Sequence, residues 1–143
     1  MSRVDFYILP EAGANIRERF ACRLVEKAYH NGHRVLVLVA DERQSERLDA
    51  LLWTFRQGSF VPHAPLPDRD GEPVAVATDE TSDDEVLINL TDQQPQSWHQ
   101  RHRVAEIVDQ RQPVLQASRQ RFRAYKEAGC EPHTHRIEQG GGR

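Results

Sequence analysis

Apolar residues along this chain fall into short continuous runs and into longer stretches with helical spacing. The runs at 4–9 and 34–40 are mostly apolar, which is typical of strands buried on both faces of a parallel sheet. In the stretches 15–30 and 41–55, apolar residues instead recur every three or four positions, which predicts two amphipathic helices. Because strands and helices alternate, the sequence predicts right-handed crossovers and a mostly parallel α/β sheet covered by helices.

The second half of the chain gives shorter signals of the same kind. Its predicted elements are three strands and one helix, at 74–77, 86–90, 104–108 and 112–128. Residues 62–73 are rich in Pro, Gly and Asp and predict a loop, and the acidic run 79–85 predicts a solvated connection. Three consecutive glycines near the end predict a disordered tail at 138–143. A single domain is therefore expected over 1–137, without repeats or an internal boundary.

The helix predicted to end near Phe55 carries a tryptophan outside its apolar stripe. The stripe consists of four residues at helical spacing: Leu48, Leu51, Leu52 and Phe55. Trp53 lies about 140° from the middle of this stripe, on the face that should meet water, and Phe60 follows beyond a predicted helix stop at Gly58. Large aromatic side chains held together on a surface commonly anchor protein–protein contacts. In the alternative interpretation, Trp53 packs under the Pro-rich loop that follows.

The predicted last helix can be divided into two faces in two ways. In the first, small and aromatic residues pack on the sheet: Val114, Ala117, Ala124, Tyr125 and Ala128. The nearly opposite face then exposes an apolar and cationic set: Leu115, Arg119, Phe122 and Lys126, flanked by Arg123. Such a set could bind a short acidic peptide that ends in an apolar side chain and a free carboxylate. In the second division, the core stripe is Leu115, Ser118, Phe122 and Tyr125, and the cations are ordinary solvated charge.

Composition restricts the class of protein. The 143 residues include 38% apolar and 29% charged residues, without a run of about 18 apolar residues or a signal-peptide pattern, so a cytoplasmic protein without a membrane segment is expected. The formal net charge of −3 argues against a large direct DNA-binding surface, although it leaves room for a local basic patch. Cys22 and Cys130 lack paired spacing, so reduced thiols are expected rather than a disulfide or a zinc site.

Sequence signatures of catalysis and cofactor binding are absent. The turn at 10–15 lacks the glycine spacing of nucleotide-binding folds, so the expected fold is a Rossmann-like three-layer domain without a phosphate-binding loop. His99 with His102 and His133 with His135 form two pairs without a nearby cysteine, and such histidines are more often surface residues than metal ligands. The sequence therefore predicts no cofactor, no metal and no enzyme. The alternative is a small nucleotide-binding enzyme on a degenerate Rossmann-like sheet.

Several short motifs follow one another along nearly the whole chain. They are the segments 5–9, 41–44, 47–49, 52–53, 59–63 and 121–129. In order and spacing they resemble the chi subunit of the bacterial DNA polymerase III holoenzyme, and the Phe-Val-Pro-His element within 59–63 is the most specific of them. The resemblance implies a small, non-catalytic clamp-loader accessory protein. It also implies two partners, the psi subunit and the acidic, Phe-terminated tail of single-stranded DNA-binding protein.

The resemblance assigns one partner to each candidate surface. Psi would bind the residues that follow the second helix: Trp53, Phe60, Val61 and Pro62. The tail would bind one face of the last helix: Leu115, Arg119, Phe122, Arg123 and Lys126. Family members have a Lys where this chain has Leu115 or a shorter connection, which puts the affinity for the tail in doubt. A repair helicase that uses the Trp53 and Phe60 surface in place of psi is the alternative.

Overall fold

Strands and helices alternate through most of the chain, and the computed structural model of the protein describes residues 2–138. The elements in chain order are β1 (Arg3–Ile8), α1 (Ala14–His30), β2 (Val35–Leu38), α2 (Glu42–Thr54), β3 (His63–Pro65), β4 (Val74–Ala77), β5 (Val86–Asn89), β6 (Arg103–Val108), α3 (Gln112–Glu127) and β7 (His133–Arg136). Single turns of 3₁₀ helix occur at Leu66–Asp68 and Trp98–Gln100. None of the described helices is long and apolar enough to cross a membrane.

The strands form one seven-stranded sheet in the order β3-β4-β2-β5-β6-β1-β7, and every neighbouring pair is parallel. The aliphatic strand β2 lies inside the sheet, where Val35 and Val37 face the core shared with α1 and α2. Leu36 and Leu38 face the core shared with α3. The predicted α/β fold with helices on both faces of the sheet is therefore confirmed.

The start of α2 shows how the local sequence sets an element boundary. Asp41 lies just before the helix, and its carboxylate accepts a hydrogen bond from the backbone N–H of Gln44 at 2.8 Å. The amide oxygen of Gln44 in turn accepts one from the backbone N–H of Ala40, also at 2.8 Å. This reciprocal pair satisfies backbone donors that a helix start would otherwise leave free. The prediction that Asp41 caps this helix is confirmed.

The sheet contains two strands that the sequence pattern did not predict. Strand β3 lies inside the expected loop at 62–73 and pairs with β4, and β7 pairs with β1 near the chain end. Each is an edge strand, bonded on one side only, and β7 reads His-Thr-His-Arg without apolar alternation. Backbone pairing with a preformed neighbour therefore defines these strands. The tail predicted at 138–143 begins at the last described residue, and 139–143 lie outside the described residues.

The acidic run at 79–85 is mostly exposed, as expected for a solvated connection, but it contains one buried carboxylate that was not expected. Asp84 is only 1% exposed and accepts two hydrogen bonds from the guanidinium of Arg69, at 2.7 and 2.9 Å. The guanidinium of Arg101 donates to the backbone carbonyls of Glu80 and Asp84. The prediction was wrong for Asp84 because its carboxylate meets Arg69 and Arg34, and sequence spacing does not show such partners.

Candidate protein-binding sites

The large hydrophobic side chains that remain exposed in the described chain are Trp53, at 54%, and Phe60, at 59%. Trp53 lies in the last turn of α2, and Phe60 follows Gly58, whose φ of 81° turns the chain back toward the helix. Their ring centroids are 5.5 Å apart. The prediction that Trp53 faces away from the apolar stripe is confirmed, and the alternative in which the following loop covers it is wrong.

A buried histidine packs against Trp53 on the side of the protein interior. The ring of His63 lies 4.8 Å from that of Trp53 between centroids. Its Nδ1 is 2.6 Å from the carbonyl oxygen of Val61, and its Nε2 is 3.2 Å from that of Asp49 in α2. The ring therefore connects α2 to the loop that carries Phe60. Its packing against Trp53 restricts the position of the indole ring.

Val61 was expected among the partner-binding residues, but it is only 1% exposed and packs in the core with Leu48 and Leu52. The reason is the alternation of an extended chain, in which neighbouring side chains point to opposite sides. Val61 therefore points inward, as His63 does, whereas Phe60 is exposed and Pro62 is partly exposed. The accessible group, called the Trp53 surface below, consists of Trp53, Phe60 and Pro62.

The buried and exposed faces of α3 differ from those of the first predicted division, in which Leu115 and Phe122 lie opposite the core. Its buried residues are Val114, Ser118, Arg121 and Tyr125. Leu115 and Phe122 are partly buried and pack against the same core, and Ala128 is exposed. The division that placed Leu115 and Phe122 opposite the core was therefore wrong, and the one with Leu115, Ser118, Phe122 and Tyr125 in the core stripe is nearer to the structure. The first division assumed that small apolar residues face the core, but Ser118 and Arg121 occupy the buried positions, and Ala124 and Ala128 do not.

The outer edge of α3 still combines cations with apolar surface. The ring of Phe122 packs edge-on against Phe6, with 5.3 Å between centroids, and Lys126 Nζ lies 6.0 Å from the Phe122 centroid. Arg119 and Arg123 are exposed, and no carboxylate of residues 2–138 lies within ion-pair distance of either. The group called the α3 surface below consists of Leu115, Arg119, Phe122, Arg123 and Lys126.

A buried ionic cluster fixes α3 on the sheet, and the sequence reasoning missed it. Arg121, 3% exposed, donates from Nε to Glu106 of β6 at 3.0 Å. The Tyr125 hydroxyl and the Asn89 side-chain amide donate to the same carboxylate, at 2.7 and 3.0 Å. Burial raises the pKa of Glu106, and the charge of Arg121 opposes that rise. A lone Glu within the otherwise apolar run 104–108 is the signal that could have predicted a buried partner.

The crevice at the carboxyl ends of the strands is where related α/β folds bind nucleotides. Here the cavity measures about 230 Å³ and is lined by charged residues. Glu18 accepts hydrogen bonds from Gln44 at 3.2 Å and from Arg47 at 2.9 Å. Arg17 donates to the carbonyl oxygen of Ile107 at 2.8 Å. These groups are thus bound to one another within the fold. Among residues 2–138, no three His, Cys, Asp or Glu side chains converge to hold a metal ion.

Comparison with known proteins identifies relatives over nearly the whole chain. The family model of the DNA polymerase III chi subunit, HolC, matches residues 1–133. The DNA polymerase III subunit chi of Pseudomonas aeruginosa is 42% identical over 140 residues, which cover 96% of this chain and 98% of that protein. The DNA polymerase III subunit chi of Escherichia coli is 31% identical over 143 residues, covering 94% of this chain and 97% of the relative.

Proposed function

The chain belongs to the DNA polymerase III chi subunit family, and we propose that it connects the clamp loader, through the psi subunit, to the C-terminal tail of single-stranded DNA-binding protein. As a chi subunit it is an accessory subunit of a DNA polymerase III complex in DNA replication. In this proposal it is a cytoplasmic adaptor without catalytic residues. One observation carries the proposal: the Trp53 surface and the α3 surface lie on helices that cover opposite faces of the sheet.

The Trp53 surface is the proposed site for psi. Trp and other large aromatics are enriched among the residues that dominate binding energy, and they act from the centre of an interface. Trp53 and Phe60 offer such a centre, because they contact one another and leave more than half of each side chain accessible. A repair helicase that binds the same surface is the second candidate partner. Because the aromatic patch is small, psi and the helicase would bind it in turn.

The α3 surface is the proposed site for the acidic, Phe-terminated tail. Arg119 and Arg123 are placed to bind carboxylates, and a guanidinium can do so with two parallel hydrogen bonds. The partly buried ring of Phe122 is one wall of an apolar recess rather than a freely projecting side chain. Leu115 adds a second apolar wall, so a terminal phenyl ring of the peptide would pack between side chains that the core already holds in place.

Tethering is the mechanism that follows from two such sites. A coated DNA strand presents many copies of the tail, so even weak binding raises the effective concentration of the attached clamp loader near that strand. The psi site keeps the adaptor attached to the polymerase complex while individual tails are exchanged. Chemistry on a substrate is not required for this role.

Crossed variants test the proposal with two purified ligands, psi and an acidic peptide that ends in Phe. Calorimetry with Trp53→Ala should show psi binding weakened by about 2 kcal/mol or more and peptide binding unchanged. Arg119→Ala should weaken peptide binding by about 1–3 kcal/mol in a salt-dependent manner and leave psi binding unchanged. Arg43→Ala, an exposed Arg in α2, is the control that should alter neither. If each variant affects both ligands equally, or neither ligand, the two-site proposal is refuted.

A further inference from the structure

A groove runs along α1 beside strands β1, β5 and β6. Two cavities, of about 560 and 420 Å³, lie there in succession. Both are lined by Phe20 and Arg23 of α1, by Arg56 from the segment after α2, and by Ile137 after β7. Because they share these residues, the cavities form one continuous groove. Trp53, Phe60 and Pro62 do not line it, and it lies on the opposite side of the sheet from α3.

The groove carries a row of positive charge. Arg19, Arg23 and Lys27 are spaced four residues apart on α1, so they follow one line along the helix for about 12 Å. Arg56 and Arg103 approach from the other walls. In the described part of the chain, no carboxylate lies within ion-pair distance of Arg23 or Lys27. The groove is thus locally cationic, although the whole chain has a net charge of −3.

The carboxylates that line the groove do not cancel this charge. The lining holds five Arg and Lys side chains and three acids, Glu11, Glu26 and Glu138. Arg103 is paired with the Asp5 carboxylate at 3.0 Å and Arg56 with Glu26, which leaves three cations against two carboxylates. Glu26 is already bound, because Arg56 lies 3.3 Å from its carboxylate and the Ser59 hydroxyl donates to it. An anionic ligand that lies along α1 would therefore meet more positive than negative charge.

Aromatic rings lie beside the row of cations. The rings of Tyr7 and Phe20 are 5.5 Å apart between centroids, and both are partly exposed. On the other side of Tyr7, the imidazole of His135 stacks on the phenol at 4.9 Å with an interplanar angle of 19°. The three rings therefore form a strip next to the cations, in which the Tyr7 and Phe20 planes are tilted by 49° and the imidazole of His135 lies 2.8 Å from the Asp5 carboxylate.

We propose that this groove binds single-stranded DNA directly. A cationic channel that follows the phosphates beside aromatic rings that stack on bases is how proteins bind single strands without sequence preference. The row on α1 is long enough for two or three phosphates, and the ring strip offers stacking that only unpaired bases could use. An acidic peptide would use the charge but not the strip of rings. This inference concerns the chain alone and does not depend on psi or on the tail.

Fluorescence anisotropy with a labelled oligothymidylate of about 20 nucleotides and the purified full chain, without other proteins, tests the proposal. Non-specific binding of this kind has a Kd of about 10⁻⁴ to 10⁻⁶ M, and neutralising two or three phosphates gives a slope of about −2 for log K against log salt. Arg23→Ala and Lys27→Ala should each weaken binding by roughly 3- to 10-fold. Arg43→Ala, an exposed Arg on α2 that does not line the groove, is the matched control and should leave the affinity unchanged.

Phe20→Leu separates stacking from charge. Leu keeps an apolar side chain against the core but removes the ring, so the variant should bind oligothymidylate more weakly with an unchanged salt slope. Several results would overturn the proposal: absence of salt-dependent binding, an equal loss in the control variant, or tighter binding of a duplex than of oligothymidylate. A poly-Glu peptide that bound more tightly than oligothymidylate and lost affinity in Arg23→Ala but not in Arg119→Ala would instead assign the groove to an acidic protein.

Discussion

The indole ring of Trp53 lies against the imidazole ring of His63, with 4.8 Å between their centroids. The exposed aromatic residue therefore rests on a buried polar one, whose ring nitrogens face the backbone carbonyls of Val61 and Asp49. Support of this kind restricts the position of the exposed indole ring, and in the proposed function it does so before a partner binds. Less conformational entropy is then lost on binding, which favours affinity.

Replacing His63 should therefore affect both stability and binding. His63→Ala removes buried hydrogen bonds and leaves a cavity, so we expect the free energy of unfolding to fall by about 2 kcal/mol. Psi binding should weaken as well, although His63 is itself inaccessible. Urea denaturation and calorimetry with psi measure the two effects. Phe60→Ala is the control that should weaken psi binding and change stability by less than about 0.5 kcal/mol. Full psi affinity in His63→Ala would rule out the supporting role.

Phe122 should contribute to the core as well as to the α3 surface. Its ring packs edge-on against Phe6, so Phe122→Ala is expected to lower the free energy of unfolding by about 2 kcal/mol and to weaken the acidic peptide. The exposed Arg123 offers a contrast, because Arg123→Ala should weaken the peptide and leave stability within about 0.5 kcal/mol of the wild type. Denaturation curves measure the stability of both variants, and calorimetry measures their affinity for the peptide. Unchanged stability in Phe122→Ala would mean that the ring is simply displayed on the surface.

Removing one partner of the Arg121–Glu106 ion pair should lower the free energy of unfolding more than removing both. Arg121→Leu leaves a buried carboxylate without its counter-ion, so we expect a loss of about 3–5 kcal/mol in the free energy of unfolding. Adding Glu106→Gln should recover part of this loss, because the uncompensated charge is then removed. Urea denaturation of both single variants and the double variant gives the coupling energy. A double variant whose loss equals the sum of the two single losses would show that the residues do not act as a pair.

The same pair predicts a dependence on pH. Burial raises the pKa of Glu106 in the folded protein above its ordinary value of 4.5, and removing Arg121 should raise it further. A raised carboxyl pKa stabilises the folded state below the unfolded value and ceases to do so as the pH rises through the folded value. The deficit of Arg121→Leu relative to the wild type should therefore grow as the pH rises from about 4.5 toward 7. Denaturation at both pH values measures this, and a deficit independent of pH would contradict it.

Sequence patterns predicted the parts of the fold that are buried on one or both faces. The three helices and the strands β1, β2, β4, β5 and β6 all carry an apolar period or a continuous run, because each faces a core. The edge strands β3 and β7 carry neither, since their stability comes from pairing with one preformed neighbour. Helical phase was reliable for Trp53 because the second half of α2 buries only Leu48 and Leu52, whereas α3 buries Ser118 and Arg121 in its middle.

The sequence also did not predict the buried ion pairs. Arg121 meets Glu106 across 15 residues of sequence, and Asp5 meets His135 across 130. Spacing along the chain gives no indication of such pairs, because the sheet topology creates them. The groove along α1 was missed for a related reason, since its cations and rings come from α1, β1 and the region of β7.

The buried carboxylate of Asp84 is held by two arginines. Arg69 donates both of its terminal nitrogens to it, and Nε of Arg34 lies at 3.6 Å. Burial alone would raise the pKa of Asp84, but the hydrogen bonds from Arg69 and the positive charges of Arg69 and Arg34 outweigh burial and lower the pKa below its ordinary value of 3.8. Ionised Asp84 therefore stabilises the folded protein.

Asp84→Asn should remove this stabilisation, which we expect to be about 3 kcal/mol at neutral pH. Because the folded pKa is lowered, the contribution is complete above the unfolded value of 3.8 and is lost as the pH falls through the lower folded value. The difference in free energy of unfolding between the wild type and Asp84→Asn should thus stay constant down to about pH 4 and shrink below it. Urea denaturation across this range tests it, with the exposed neighbour Asp83→Asn as the control. A difference that persists at low pH would show that packing, rather than charge, makes Asp84 stabilising.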